Sequence, residues 1–301
     1  MQSLFTRRSP ASNSFKVRPA RHTDRAALTR LTEHAQRTHF HLDWWTLNDW
    51  IDDASGNAWM AMAGSQIAGA LIAPRQDTPV TWVRLVSIAD EFNARPVLEA
   101  LMPAAIDPLR VAGVESLACL SYPDWLIEQL PGLGFAPITD VTHFRKDDRG
   151  IAEHGSSTVS IRPVRPADLP AVLANDHAAF ESLWWHTLDS LERIRHDCAH
   201  FIVAELDGRV IGHAFSDLYG GRGHLIRLAV HPAHQGRGVG TRLLAETLTF
   251  LLAAGAYPIT LNTQADNYQS QSLYRRLGFI PTGESTTVMR KVISESLITV
   301  H

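Results

Sequence analysis

"HPAHQGRGVGTRLL", residues 231–244, puts Gly236, Gly238 and Gly240 within five positions, directly ahead of a stretch with helical periodicity. Glycine costs backbone entropy where a helix must nucleate, so three of them imply that something needs bare backbone. The first turn of a helix has four unpaired N–H groups and a partial positive charge. Glycines let those groups close on a phosphate, and Arg237 adds a cation able to grip one. Upstream, "GHLIRLAV" (223–230) alternates like a strand, which would aim the loop. Its period of two puts Leu225, Arg227 and Ala229 on one face, and His224, Ile226, Leu228 and Val230 on the other. Downstream, "VGTRLLAETLTFLLAAG" is expected to be an amphipathic helix closed by Gly255.

The spacing narrows the ligand. It is not Gly-x-Gly-x-x-Gly, which disfavours a dinucleotide fold. No Gly-Lys-Ser/Thr follows, so it is not a nucleoside-triphosphate loop.

The chain repeats itself. "FKVRPARHTDRAALTRL" from Phe15 is answered by "VSIRPVRPADLPAVL" from Val159, so that Arg18 and Arg162 stand 144 residues apart. Gly134-Phe135 and Gly278-Phe279 stand at the same spacing. Between these landmarks, "DWWTLNDWIDD" pairs with "LWWHTLDSLERI", "QIAGALIAP" with "RVIGHAFSD", and "WVRLVSI" with "LIRLAV". One order at nearly one spacing implies an internal duplication with two similar domains. Asp24 and Asp168 fall at helix starts, where a carboxylate can cap free N–H groups. The polar stretch at 147–157 lacks apolar periodicity and is expected to be a linker. The expected domains are 15–146 and 158–293, with tails at 1–14 and 294–301.

The second copy spells β-α-α-β-β-β-α-β-α-β-β, a mixed α/β sheet with helices on its faces. "FIPTG" and "STTVMRKV" are expected as its two closing strands. Asp207-Gly208 is a hairpin signal.

Composition excludes several classes. A net charge of −3 with interspersed signs argues against nucleic acid. No apolar run approaches the ~20 residues of a membrane span. Cys119 and Cys198 stand alone, which suits a reducing cytoplasm and makes neither a disulfide framework nor a zinc spacing. His231 and His234 form a His-x-x-His with no third ligand nearby, so no metal is expected. The Trp44-Trp45 and Trp184-Trp185 pairs are read as partly buried packing.

Gln235-x-x-Gly238-x-Gly240 resembles the Gln/Arg-x-x-Gly-x-Gly/Ala signature of the GNAT superfamily of acyl-CoA-dependent N-acetyltransferases, here in a tandem arrangement. "LNTQADNYQSQSLYRRLGF" (261–279) is similar to that family's Asn-x-x-Ala-x-x-Leu-Tyr-x-x-x-Gly-Phe segment. Asn267, Leu273, Tyr274, Gly278 and Phe279 match it, and Ser270 stands in for the alanine. The resemblance implies two GNAT-like domains, each a mostly antiparallel central sheet flanked by helices. It implies acetyl-CoA as co-substrate, with the pyrophosphate on Gln235, Gly236, Arg237, Gly238, Val239, Gly240 and Thr241. It further implies that backbone groups of Leu228, Ala229 and Val230 pair with the pantetheine, that Asn267 touches that arm, and that the Tyr274 hydroxyl stands near the thioester sulfur.

The chemistry suits those roles. A phenol can protonate a departing thiolate of comparable basicity, and Tyr274 shares a helical face with Asn267 and Ser270. His224 is the candidate general base by position, with Asp217, Glu205 or a water chain as rivals. The implied reaction is direct attack by a primary amine of a small molecule or peptide, catalysed by a monomer or homodimer. A non-catalytic acyl-CoA sensor is the alternative.

The first copy departs from the pattern. "FNARPV" (92–97) stands where the glycines should be, and Pro96 removes an N–H. Leu130 stands opposite Tyr274, and Pro123 opposite Asn267. That copy is expected to keep the scaffold and lack the site.

Overall fold

A computed structural model describes residues 14–41, 44–52, 56–121 and 125–294. The expected tails, apart from Ser14 and Ser294, and Pro123 lie outside the described residues. The chain forms two compact units, residues 1–137 with 289–301, and residues 138–288.

The first unit contains β1 (Lys16–Pro19), α1 (Arg25–His34), β2 (Arg37–Phe40), α2 (Leu47–Asp52), β3 (Ala58–Ala63), β4 (Gln66–Ile72), β5 (Val80–Trp82), β6 (Leu85–Ile88), α3 (Ala94–Val111) and β7 (Ser116–Ser121). Strands β1-β3-β4-β6-β2 make one sheet in that order, and β5 pairs with β7 in parallel. Its core packs α3, through Val97, Leu98, Leu101 and Leu109, against Leu71, Val86 and Ile88 of the sheet.

The second unit follows the same plan. After β8 (Ala136–Lys146) come β9 (Ser160–Pro163), α4 (Leu169–Ala179), α5 (Leu188–Asp197), β10 (His200–Leu206), β11 (Arg209–Tyr219), β12 (Arg222–Val230), α6 (Val239–Ala253), β13 (Ile259–Gln264), α7 (Tyr268–Arg276) and β14 (Ile280–Val292). Within this unit the order is β8-β13-β12-β11-β10-β9. The β10–β11 hairpin turns at Asp207-Gly208, both with positive φ. Leu243, Leu244, Leu248 and Leu251 of α6 pack on Ile202, Ile211 and Leu225 of the sheet.

The duplication is visible in side chains. Arg18 grips Asp24 through two bonds of 2.7 and 2.8 Å, and Arg162 grips Asp168 through two of 2.7 and 2.9 Å. Each aspartate also accepts a backbone N–H, from Arg21 and Arg165 respectively. Bidentate pairs of this kind fix geometry as well as charge. The carboxylates therefore tie the first strand of each copy to its first helical turn, and neither caps an N–H of the α-helix that follows, contrary to the expectation from sequence.

The expected boundary at 146 divides the chain differently from the compact units. β8 ends the first repeat in sequence, yet its residues 141–146 pair antiparallel with β13 and belong to the second unit. Phe144 is fully buried in the second core. Conversely, Met289 and Ile293 from the end of the second repeat are buried in the first core. Each unit thus takes in the closing residues of the other repeat. A matched pair of lysines marks the arrangement. Lys146 donates to the Leu277 carbonyl at 2.8 Å inside the second unit, and Lys291 donates to the Leu133 carbonyl at 2.8 Å inside the first. The two expected closing strands of the second copy are one continuous strand, β14, because no turn interrupts them at Gly283.

Candidate active site

The site is built where β12 leaves β13. The two are parallel and paired only from Gly223↔Ile259 to Leu225↔Leu261. Beyond that point β12 keeps to β11 as far as Val230, while β13 keeps to β8 as far as Gln264. The edge of β12 that faced β13 is therefore open from Ile226 onward. His231 N–H donates to the Ile211 carbonyl at 2.9 Å. Antiparallel alternation from that pair turns Ala229 toward β11, and Leu228 and Val230 toward the open edge. Of the three backbone positions expected to meet the pantetheine, only Leu228 and Val230 face it.

A bulge shifts the phase of β12. Phe215 pairs with Arg227 and Ser216 with Leu225, so Ile226 is left over. The strict alternation expected from the sequence breaks there. Leu225 joins Leu228 and Val230 under α6, and His224 is turned to the other face.

The glycine loop sits at the end of this strand. The Gln235 side chain donates to the Val230 carbonyl at 3.0 Å, fastening the loop to the strand. Gly236 and Gly238 have φ of 72° and 77°, left-handed values that favour glycine. Gly238 is the N-cap of α6, and the Arg242 N–H is the donor that closes the first helical bond onto its carbonyl. The amides of Val239, Gly240 and Thr241 therefore have no acceptor within the helix. Gly236 and Arg237 are exposed, while Val239 and Thr241 are buried and hold the turn. A Cβ on Gly240 would stand 3.5 Å from Leu273, so Gly240 is where α6 and α7 approach on one face of the sheet. This donor set, bare amides beside one guanidinium, fits an anionic phosphate linkage.

On α7, Asn267 is the N-cap, accepting the Ser270 N–H at 3.1 Å. Tyr274 is buried against Phe144 and Phe279, with ring centroids at 6.1 Å from each. Burial pushes its phenol up to about 12, against a smaller opposing effect of a Ser270 hydrogen bond. The hydroxyl thus keeps its proton at neutral pH.

His224 lies where β12 and β13 are still paired. Its Nδ1 meets the Thr260 hydroxyl at 2.8 Å. Burial, with a smaller push from His143, lowers its pKa to about 4. Of the rivals, Glu205 is bound by Arg162, and Asp217 accepts the N–H of Leu218. Among the described residues no group of three potential metal ligands occurs, and the His231 Nδ1 accepts the Ala233 N–H instead.

Sequence reasoning missed a buried ionic cluster on the opposite face. Asp176 of α4 is fully buried and accepts two bonds of 2.8 Å from Arg227 of β12. Arg227 also donates to the Trp184 carbonyl at 2.8 Å and lies 3.5 Å over the Phe180 ring. Burial pushes the Asp176 carboxyl up, but Arg227 and His213 outweigh it and hold the group ionised. Trp185 is stacked on His177 and donates to the Phe180 carbonyl at 2.7 Å. The cluster ties the Trp184–Trp185 segment to the strand that carries the open edge. The sequence signal was a single acidic residue in "LANDHAAF", flanked by Asn175 and His177, and a single charge in the otherwise apolar "LIRLAV".

The first unit differs at the matching places. In the first turn of α3, Arg95 donates to the carbonyls of Gln129 and Gly132. Leu130 is buried core.

Comparison with known proteins agrees with this geometry. The family model for the acetyltransferase (GNAT) family matches residues 167–279. Residues 167–279 are a GNAT acetyltransferase domain. Acyl transfer is the chemistry of that family. A GCN5-related N-acetyltransferase from Sphaerobacter thermophilus superposes with a TM-score of 0.63 at 17% identity, covering 95% of this chain and 98% of that one. A tandem GNAT protein from the clavulanic acid biosynthesis pathway gives 0.64 at 16%, covering 94% and 100%. A GCN5-related N-acetyltransferase from Kribbella flavida gives 0.67 at 16%, covering 93% and 71%. At these identities the likeness concerns the fold, which is two tandem GNAT-like domains of mixed α/β architecture. Among the described residues no helix is long and apolar enough to cross a membrane.

Proposed function

We propose that the second unit is an acetyl-CoA-dependent N-acetyltransferase that works by direct attack of a primary amine, of a small molecule or a peptide, on the bound thioester. The observation that carries this reading is the open edge of β12 running into a glycine turn whose amides have no helical acceptor. The turn, with Gln235 as its fastening and Arg237 as its cation, holds the pyrophosphate. Leu228 offers its backbone groups and Val230 its N–H to the pantetheine amides, in the manner of an added strand, while the Val230 carbonyl stays with Gln235. Asn267 fixes the start of α7 beside that arm.

The amine lone pair attacks the thioester carbonyl carbon, the C–N bond forms, and the C–S bond breaks. Tyr274, protonated in its buried setting, hydrogen-bonds the leaving thiolate and gives it a proton, and the phenolate, strongly basic in that setting, recovers one from water. Proton acceptance from the amine is a poor match for His224. A base works best with a pKa near the operating pH, and that ring sits about three units below neutrality. In this reading His224 forms the floor of the site, and water takes the proton.

Binding and turnover test the proposal together. Calorimetry with CoA should give a saturable signal in the wild type and none in Gly238→Glu, which sets bulk and negative charge at the phosphate seat. Thiol release from acetyl-CoA over a panel of amines then separates an enzyme from a sensor. CoA binding without thiol release for any amine would favour the sensor, and undiminished affinity in Gly238→Glu would show the loop to be misread.

A further inference from the structure

The segment joining the two repeats lies on the glycine turn. Inside the second unit, Ile151 packs against the core and Glu153 meets Arg276 of α7 at 3.4 Å. Ser156 N–H then donates to the Gly238 carbonyl at 3.1 Å. Gly155, at φ +71°, is pressed so close to the first turn of α6 that an added Cβ would overlap Arg242 N and stand 2.6 Å from the Gly238 oxygen. Both are backbone atoms and cannot swing away. A Cβ on Gly238 would in turn stand 3.1 Å from Ser156 N. The fit is mutual, and it falls on the residue whose left-handed conformation starts the helix.

We infer that residues 153–156 are a positioning strap that holds Gly238 in the conformation presenting the loop amides to the coenzyme's phosphates. The inference rests on the coenzyme reading above. The carbonyl of Gly238 accepts from Arg242 on the helix side and from Ser156 on the strap side. Two donors on one oxygen leave the peptide plane between Gly238 and Val239 little freedom, so the Val239 amide keeps its direction. A loop with three glycines in five positions otherwise has many conformations to lose on binding. The strap removes that freedom before the ligand arrives.

The test uses the full chain and CoA as the probe. Gly155→Val must lift the strap from α6. It should raise the CoA dissociation constant about tenfold. Amide exchange should quicken at 236–242, while 243–253 and the β10–β12 amides keep wild-type rates, a pattern that general destabilisation would not give. Gly150→Ala, in the same segment but facing only the Asp148 side chain, should bind CoA like the wild type. In the wild type, CoA should slow exchange at 153–158, a measurement that needs no variant. Unchanged affinity in a folded Gly155→Val protein, or no CoA-dependent protection of 153–158, overturns the strap while Gly238→Glu still abolishes binding. Binding that survives Gly238→Glu fails the coenzyme reading instead.

Discussion

Replacing Asp176 by Asn should destabilise the second unit by about 3–5 kcal/mol, the usual cost of breaking a buried ion pair from one side. The carboxylate is fully buried and holds Arg227 by two bonds of 2.8 Å, with a weaker bond from the His186 N–H at 3.3 Å. Asn keeps the shape and accepts one bond, yet it leaves the Arg227 cation uncompensated among Phe180, Trp184 and the sheet. The desolvation cost then has no Coulomb attraction to offset it. Removing both charges, as Asp176→Leu with Arg227→Met, should cost at least about 2 kcal/mol less than the sum of the single changes, because neither partner is stranded. Urea unfolding read by pulsed hydrogen exchange reports each unit separately, through peptides of 209–219 and of 58–72. A loss under about 1 kcal/mol in Asp176→Asn, or strict additivity in the cycle, would refute the assignment of the pair as buried and coupled.

Tyr274→Phe should lower turnover by about a hundredfold with CoA affinity unchanged, measured by thiol release and calorimetry, because binding does not need the hydroxyl. Burial depresses the pKa of His224 to about 4, so the unfolded chain binds more protons than the folded one between that value and about 6.5. Stability is then full above about pH 6.5 and falls as the pH drops toward 4, by at most about 3.4 kcal/mol from this residue. His224→Gln should flatten the dependence of the unfolding midpoint on pH over that window. Lys146→Met should cost the second unit about 1–3 kcal/mol by orphaning the Leu277 carbonyl, and Lys291→Met should act on the first unit through Leu133. Exchange read by unit would show each loss on its own side.

Much of this was legible in the sequence, and the limits have physical causes. Repeat spacing, the hairpin at Asp207-Gly208, the glycine turn and the helix it starts all follow from local chemistry. Local chemistry also marked Tyr274 for α7, whereas Asn267, expected on the same helix face, is the N-cap ahead of that helix. It could not reveal that β12 carries a bulge at Ile226, since a bulge answers to the partner strand and leaves no mark in a period-two pattern. That single extra residue sends His224 to the face away from α6. Nor could spacing tell which core would receive β8. A strand's own residues say that it pairs, and only tertiary packing says with whom. The Asp176–Arg227 pair was hidden for a related reason. A charge in an apolar run is legible, but its counterion lies 51 residues away.

The traded strands bear on how such a chain can be shortened by deletion or by evolution. The leading repeat has neither the glycines nor the phenol of its sibling. Yet a gene cut at the natural-looking seam near residue 147 would strip Phe144 and Lys146 from the surviving core and leave Leu277 without its donor. Any shortened chain that keeps the second unit whole must therefore begin ahead of residue 138 and carry the closing strand of the leading repeat with it.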